Sequence, residues 1–301
     1  MLLITGIMGR SGTYLLKELA SDGSNSIYNK FGRIRVIVRS SEDTRVLNEC
    51  GLNIEIFIGD LRNEEFLKMA LEGVSTLLHI AGISFSLDIV RIASKKNIKR
   101  VILVHTTGIF SKYKAAGEYY RNIEKCVYNV SKVYGMDLTI LRPTMIYGSV
   151  NDRNVIVFVK MIDKLMVVPV VDHAKYKLQP VHVSDLGKAY HQVLLNSDKT
   201  ANKEYILSGR NPIMLSDMFK IIEKKLGVKR KYLSFPFFIA YSGAWVVYLM
   251  TFCKTDYREK VQRLCEHRVF PHDEAARDFG YNPISFEEGI MPEVEEWKRT
   301  I

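Results

Sequence analysis

Short apolar runs alternate with amphipathic stretches through the first half of the chain. LLIT (Leu2–Thr5) reads as a strand and GTYLLKELA as an amphipathic helix. The alternation then repeats. RIRVIV is a strand, followed by a short helix from Thr44 to Cys50. IEIFIG is a strand, then NEEFLKMALEG a helix. STLLHIAG is a strand, then LDIVRIASKKN a helix. RVILVHTTG is a strand, a long helix runs to about Tyr134, and LTILRP is a sixth strand. The strands are apolar on successive residues, the pattern of strands buried on both faces. Strand–helix alternation of this kind predicts α/β architecture, a doubly wound parallel sheet covered on both sides.

Beyond Pro143 the order loosens. VFVKMIDKL reads as a helix and KLQPVHV as a strand. SDLGKAYHQVLL is a helix opened by a Ser184 cap with Asp185 in its first turn. EYILSG is another strand, and LSDMFKIIEKKLG a helix ended by Gly227. An apolar segment and a charged, helical C-terminus follow, with no repeats and no low-complexity linker. The expected division is a sheet domain over 1–150, with 178–200 returning to it. A small, mainly helical domain over 151–177 and 201–301 would sit on the carboxyl edge of the sheet, where open α/β sheets bind ligands.

Composition narrows the picture. The chain has 301 residues, 47% hydrophobic and 25% charged, which suits an ordinary globular protein with ample length for a core. Met1 leads directly into the first strand, so no signal peptide is expected. Cys50, Cys126, Cys253 and Cys265 are scattered and form no CxxC pair, as expected of reduced thiols in the cytoplasm. His79, His105, His173 and His182 lack ligand spacing and read as packing or hydrogen-bonding groups, so no metal is expected. The net charge of +10 favours an anionic partner. No basic stretch is interleaved with aromatics, so nucleic acid is not the expected one.

The first motif supplies a better anion. TGIMGRSG, Thr5 to Gly12, places Gly6, Gly9 and Gly12 with Arg10 and Ser11 between the first strand and the first helix. Glycines let the backbone turn tightly and approach a ligand, and the helix N-terminus offers free N–H groups to a pyrophosphate. The second strand ends VRSS, Val38 to Ser41, so Arg39 and Ser40 stand where an NAD site usually has an acid for the ribose hydroxyls. A guanidinium there suits a 2′-phosphate, and Arg10 can reach the same region. The expected cofactor is NADP(H) in preference to NAD(H).

With these residues in view, the chain resembles the extended and atypical short-chain dehydrogenase/reductases, the NAD-dependent epimerase/dehydratase superfamily with its Rossmann sheet. The likeness runs nearly end to end. Gly59-Asp60-Leu61 resembles the family's GDL after strand three, whose Asp lies near the adenine. Ala81-Gly82 resembles the segment lining the cofactor ribose. Thr139 to Gly148, TILRPTMIYG, is similar to LRPxxVYG and implies that Pro143 passes the nicotinamide. QPVHVSDLGKAY, EYILSGRNPIMLSDM and DFGYNPISFEEGI are similar to three later family segments. After Pro143 the chain also resembles epimerases acting on undecaprenyl-pyrophosphate-linked N-acetylhexosamine, through Asp152-Arg153-Asn154 and Tyr176-Lys177. Arg153, Asn154 and Tyr176 are the substrate residues this implies. The resemblance implies a cytoplasmic enzyme acting on a small-molecule sugar, in polysaccharide biosynthesis, and a homodimer built on the helices after strands four and five.

One part of the family pattern is broken. Its chemistry uses a Ser/Thr after strand five and a Tyr-x-x-x-Lys pair on the next helix, with the Tyr exchanging a proton with a sugar hydroxyl. Thr106 and Thr107 can supply the hydroxyl. Tyr128 and Lys132 have the dyad spacing, but Lys132 lies only ten residues before Arg142, at the far end of the helix. Registered on Glu124, the dyad positions hold Ala116 and Tyr120. Tyr113, Tyr119 or Tyr120 could serve as acid/base, and Tyr120, in the lysine's place, is the choice. Two outcomes stay open: a reductase or epimerase with rearranged groups, and a cofactor-binding regulator or scaffold with little turnover. A structural subunit tethered by an apolar helix is a third.

That apolar helix is the last feature. Leu233 to Cys253 carries no charge and is flanked by Lys229, Arg230, Lys231 and Lys254. Its length reaches the threshold at which a membrane is considered, while Pro236 and Ser242-Gly243 weaken a spanning helix. Burial, self-association and docking at the inner face of a membrane are the expectations.

Overall fold

The computed structural model describes residues 1–22, 26–40, 44–113 and 115–300. The first half alternates as its pattern predicts. Strands β1 (Leu2–Thr5), β2 (Ile34–Val38), β3 (Ile54–Ile58), β4 (Thr76–His79), β5 (Arg100–Val104) and β6 (Asp137–Pro143) are separated by helices. These are α1 (Gly12–Ser21), α2 (Ser26–Phe31), α3 (Thr44–Glu49), α4 (Glu64–Ala70), α5 (Ser86–Lys95) and α6 (Gly117–Val133). The chain continues through β7 (Ile146–Tyr147), α7 (Val155–Lys164), β8 (Val167–Val171), β9 (Lys177–Leu178), β10 (Val181–His182), α8 (Val183–Leu195), α9 (Ser197–Thr200) and β11 (Glu204–Leu207). It ends with β12 (Ile213–Met214), α10 (Leu215–Leu226), β13 (Lys231–Phe235), α11 (Phe237–Met250), α12 (Arg258–Leu264), α13 (Asp273–Phe279) and α14 (Phe286–Thr300).

Seven strands form one parallel sheet in the order β11-β6-β5-β4-β1-β2-β3. The chain winds outward from β1 to β3, returns beside β1 with β4, and winds the other way. The reversal between β1 and β4 is the switch point at which such sheets bind ligands. Alternate residues of each strand face opposite layers. Leu2 and Ile4 pack under α1 and α8, and Leu3, Leu77 and Leu103 under α4, α5 and α6. A third core, around Val159, Phe219, Ile222, Val294 and Trp297, ties α7, α10 and α14 together beside the carboxyl edge.

Three expectations need correction. The small domain does not begin at 201, because Glu204–Leu207 pairs with β6 as the outer strand of the main sheet. KLQPVHV is not one strand: it breaks at Gln179-Pro180, where proline has no N–H, into β9 on β12 and β10 on β7. The cap of α8 is not Ser184 but His182, whose Nδ1 accepts the Ser184 amide at 3.3 Å. Gly187 lets α8 lie against α1, since a Cβ there would come within 2.6 Å of the Tyr14 backbone. The apolar segment splits at Pro236, which ends β13 and caps α11.

Candidate active site

The turns after β1 and β4 meet at the switch point. Gly6 has φ +76°, and a Cβ on it would fall 2.6 Å from the Ala81 nitrogen, so only glycine allows the two turns to touch. Gly82 has φ +121° and needs glycine as well. His79 binds these turns together. Its Nε2–H donates to the Gly82 carbonyl at 3.0 Å, so its Nδ1 accepts the Thr5 hydroxyl at 2.7 Å. Burial pushes the imidazole down to about 4 and keeps it neutral.

From this point a cleft of about 1230 Å³ runs along the carboxyl edge of the sheet. Gly6, Gly9, Arg10, Ser11, Arg39, Asp60, Leu61, Ala81 and Gly82 line one end; Thr106, Thr107, Tyr120 and Asn154 also line the cleft. The first end fits a dinucleotide. α1 opens without a side-chain cap and without an acid in its first turn, an opening that suits an anion although the Thr13 amide is taken by the Gly9 carbonyl at 2.9 Å. Arg10 and Arg39 are both exposed, and neither guanidinium has an ion-pair partner among the described residues. Asp60 differs from the expectation in one respect: its carboxylate is already held by Arg62, whose Nε lies 3.0 Å from both oxygens, which pushes it down to about 2.

Other expected residues stand off the wall. Gly12 is buried beneath the turn, packed on the backbone of Gly6 and Ile7. Ser40 is half-buried and not on the wall, and Ser41 lies outside the described residues. Pro143 sits behind Thr107, whose hydroxyl donates to its carbonyl at 3.2 Å. Arg153 is exposed and off the wall, because Asp152 beside it turns inward to accept the amides of Asn154 and Ile156. Tyr176 donates to Asp172 at 3.2 Å and packs on the His267 ring, which takes it off the wall too. Asn154 alone of the three expected substrate residues reaches the cleft.

The two threonines are not equivalent. Thr107 has committed its proton to Pro143. Thr106 accepts the Gly108 amide at 2.9 Å, which leaves its own O–H to donate. Tyr120 and Tyr113 are on the wall and Tyr119 is not. Tyr128 packs in the core beneath α6, and Lys132 is exposed in the last turn of that helix, so this pair does not face the cleft.

Behind Thr106 lies a buried relay that sequence reasoning reduced to separate packing groups. His105 Nδ1–H donates to Glu124 at 2.8 Å, and its Nε2 accepts the Ser86 hydroxyl at 3.0 Å. Arg142 donates to the other Glu124 oxygen at 2.8 Å and also pairs with Glu204. Burial lowers the His105 pKa. Burial alone would raise that of Glu124, but His105 and Arg142 outweigh it and hold the carboxylate charged. The relay fixes the strand ends that present Thr106.

The far end was missed altogether. Residues 263–270 fold back as a strap over it. The Ser111 hydroxyl and the Lys112 amide donate to Glu266 at 2.6 and 3.0 Å, and the Phe270 amide to Gln179 at 3.1 Å. Arg263 and Arg268 line this end; the Nε of each is buried without a hydrogen-bond partner among the described residues, and Arg263 Nη1 pairs with Glu259 at 3.6 Å. Burial, with Arg263 beside it, pushes Arg268 down to about 10, so it stays charged at neutral pH. The only signal in the sequence was the excess of basic residues.

A match to the NmrA-like family covers residues 1–244. The chain belongs to the NmrA-like family. Solved structures of nucleotide-sugar epimerases and dehydratases share its fold. A UDP-glucuronate 4-epimerase of Thermodesulfobacterium geofontis is 22% identical over 77% of this chain and 83% of its own length. The mitochondrial NADH-ubiquinone oxidoreductase 40 kDa subunit of Neurospora crassa is 22% identical over 93% of this chain and 75% of its own. Among solved structures, the dTDP-glucose 4,6-dehydratase DesIV of Streptomyces venezuelae, with NAD and TYD bound, superposes with a TM-score of 0.74. It is 16% identical and covers 99% of this chain and 97% of its own. The epimerase and the dehydratase are by name enzymes.

Proposed function

We propose that the protein is an NAD(P)-dependent oxidoreductase or epimerase of a sugar carried on a pyrophosphate, nucleotide- or lipid-linked, and that it takes NADP(H) in preference to NAD(H). The observation that carries this reading is one continuous cleft, with a helix N-terminus lacking a side-chain cap and two arginines without an ion-pair partner among the described residues at one end, and Arg263 and Arg268 at the other. A nicotinamide dinucleotide, when bound, supplies hydride exchange. Arg39 and Arg10 hold its 2′-phosphate, and the first turn of α1 its pyrophosphate. Thr106 orients the sugar hydroxyl. The Tyr120 phenol takes or returns that hydroxyl's proton as the carbon is oxidised or reduced. Asn154 and the two strap arginines bind the sugar and its pyrophosphate, with 151–177 and the chain beyond β11 as the substrate domain. The setting is the cytoplasm, at a membrane's inner face where the carrier is a lipid, and two copies pair through α5 and α6.

Titration with NADPH and NADH tests the cofactor half. Arg39→Ala is expected to weaken NADPH binding about 30-fold or more, the scale of a lost charge-assisted contact, and to change NADH binding little. Equal losses would remove the phosphate role. A specific observation favours a second reading, a cofactor-binding regulator or scaffold: the registered dyad positions hold Ala116 and Tyr120, and Tyr128 and Lys132 face away. Tight NADPH binding with no turnover of any sugar nucleotide or lipid-linked sugar would select it.

A further inference from the structure

α11 has the inward stripe of an ordinary surface helix and an outward face that no surface helix needs. Phe237, Tyr241, Ala244 and Tyr248 recur at helical spacing and form its less exposed side, and α11 packs against α12. Arg258 of α12 stacks on Tyr248 and Trp245, at 4.0 and 4.1 Å from the ring centres. The opposite side should be polar. Instead Phe238, Leu249, Val246, Ile239, Met250 and Val247 are all exposed, with only Ser242 and Gly243 among them, and Trp245 at the arc's edge, beside Arg258, is still 40% exposed. Met250 is 74% exposed and Phe252, just past the helix, 87%. At 100° per residue this apolar arc spans about 200°, roughly twice the stripe by which a helix packs on one protein neighbour. Basic residues bracket it, with Lys229, Arg230 and Lys231 before the helix and Lys254, Arg258 and Lys260 after it, against Asp256 and Glu259.

We propose that α11 docks the protein on an anionic lipid bilayer, with its outward face in the acyl boundary and the flanking lysines among the headgroups. The proposal rests on the reading above for its setting and names the surface. A second copy of the chain would cover one stripe and leave the rest wet, whereas hydrocarbon covers the whole arc. The basic flanks match an anionic headgroup layer and not a neutral one. With 14 residues the helix is about 21 Å long, short of the ~30 Å hydrocarbon core, so it lies in the surface. No helix among the described residues is long and apolar enough to cross a membrane.

The full-length protein is mixed with vesicles of phosphatidylcholine alone and of phosphatidylcholine with phosphatidylglycerol, and sedimented. Of its two tryptophans, Trp297 is buried and Trp245 exposed, so a blue shift of emission reports α11. Sedimentation with the mixed vesicles and a blue shift are expected. Phe238→Glu with Leu249→Glu should lower the partition coefficient on the order of a hundred-fold and abolish the shift. Both side chains are exposed, and an unchanged NADPH titration of the variant shows that it folds. Failure to sediment at low salt, or sedimentation that survives the double substitution, overturns the proposal. So does a dimer that the double substitution turns into a monomer. Vesicle partition and NADPH binding are read on the same samples, so the loss of one leaves the other standing.

Discussion

At the cofactor end of the cleft the floor is backbone, with Arg10 and Arg39 at its rim; at the far end the walls are side chains brought from four separate segments. The first end is two adjacent turns, after β1 and β4, in contact through Gly6 and Ala81 and tied by His79. The second joins residues from the 111–113 turn, Asn154, Gln179, α12 and the strap. A backbone wall admits almost no substitution, because every added atom meets a main chain that cannot move aside. A side-chain wall can be rebuilt one residue at a time.

The sharpest way to break this contrast is at Tyr120, which stands between the two ends. Tyr120→Phe keeps the ring in its place on α6 and removes the hydroxyl. Turnover of a substrate found by screening should fall about a thousand-fold (~4 kcal/mol), the scale of a lost general acid/base, with the NADPH affinity unchanged. Steady-state kinetics beside a cofactor titration separates the two. Unchanged turnover would pass the role to Tyr113, the other tyrosine of that group on the wall.

The converse test is Gly12→Ala. A Cβ at Gly12 would overlap the carbonyl oxygens of Gly6 and Ile7. Neither can retreat, because Gly6 is locked against Ala81. The expected cost is about 3 kcal/mol of stability together with loss of NADPH binding. A urea unfolding midpoint within error of the wild type would show that the turn yields, and the backbone-wall argument would fall with it.

The same contrast explains what could be read in advance. The sheet, its winding and the glycine turn follow from local pattern, because each signal lies within one strand–helix unit. The place of Arg153, Asn154 and Tyr176 in their motifs points to substrate, yet only Asn154 reaches the cleft. Which member of a polar run faces a ligand depends on partners remote in sequence, such as His267 beneath Tyr176. Glu266 and Arg268 lie in a run without periodicity, and their placement comes from hydrogen bonds to Lys112 and Lys177 far back in the chain. The Ser184 cap failed for a smaller reason: His182 is itself an acceptor two residues earlier and takes the position first.

The smallest effect belongs to a buried pair of acids beneath the far end. Glu293 of α14 is fully buried, accepts the Gly148 amide at 2.8 Å, and faces Asp152. One oxygen of each has no other partner, which is the arrangement of two carboxyls that share a proton. Burial first, and Asp152 second, raise the Glu293 pKa well above that of an exposed glutamate. Asp152 is raised too, again mainly by burial. A carboxyl whose folded pKa is raised holds a proton that the unfolded chain has released. Its stabilisation is complete below the unfolded value, near pH 4.5, and is lost as pH rises toward the folded one. The buried histidines add stability as pH rises toward their unfolded value of 6.5, so the decline is read above it: urea midpoints measured from about pH 7 upward should fall, by at most about 1.4 kcal/mol per pH unit for one proton. Glu293→Gln keeps a donor facing Asp152 at every pH and should flatten that slope. Parallel slopes for variant and wild type would mean that the two acids do not share the proton. The region under Gly148 would then contribute packing alone to the far end.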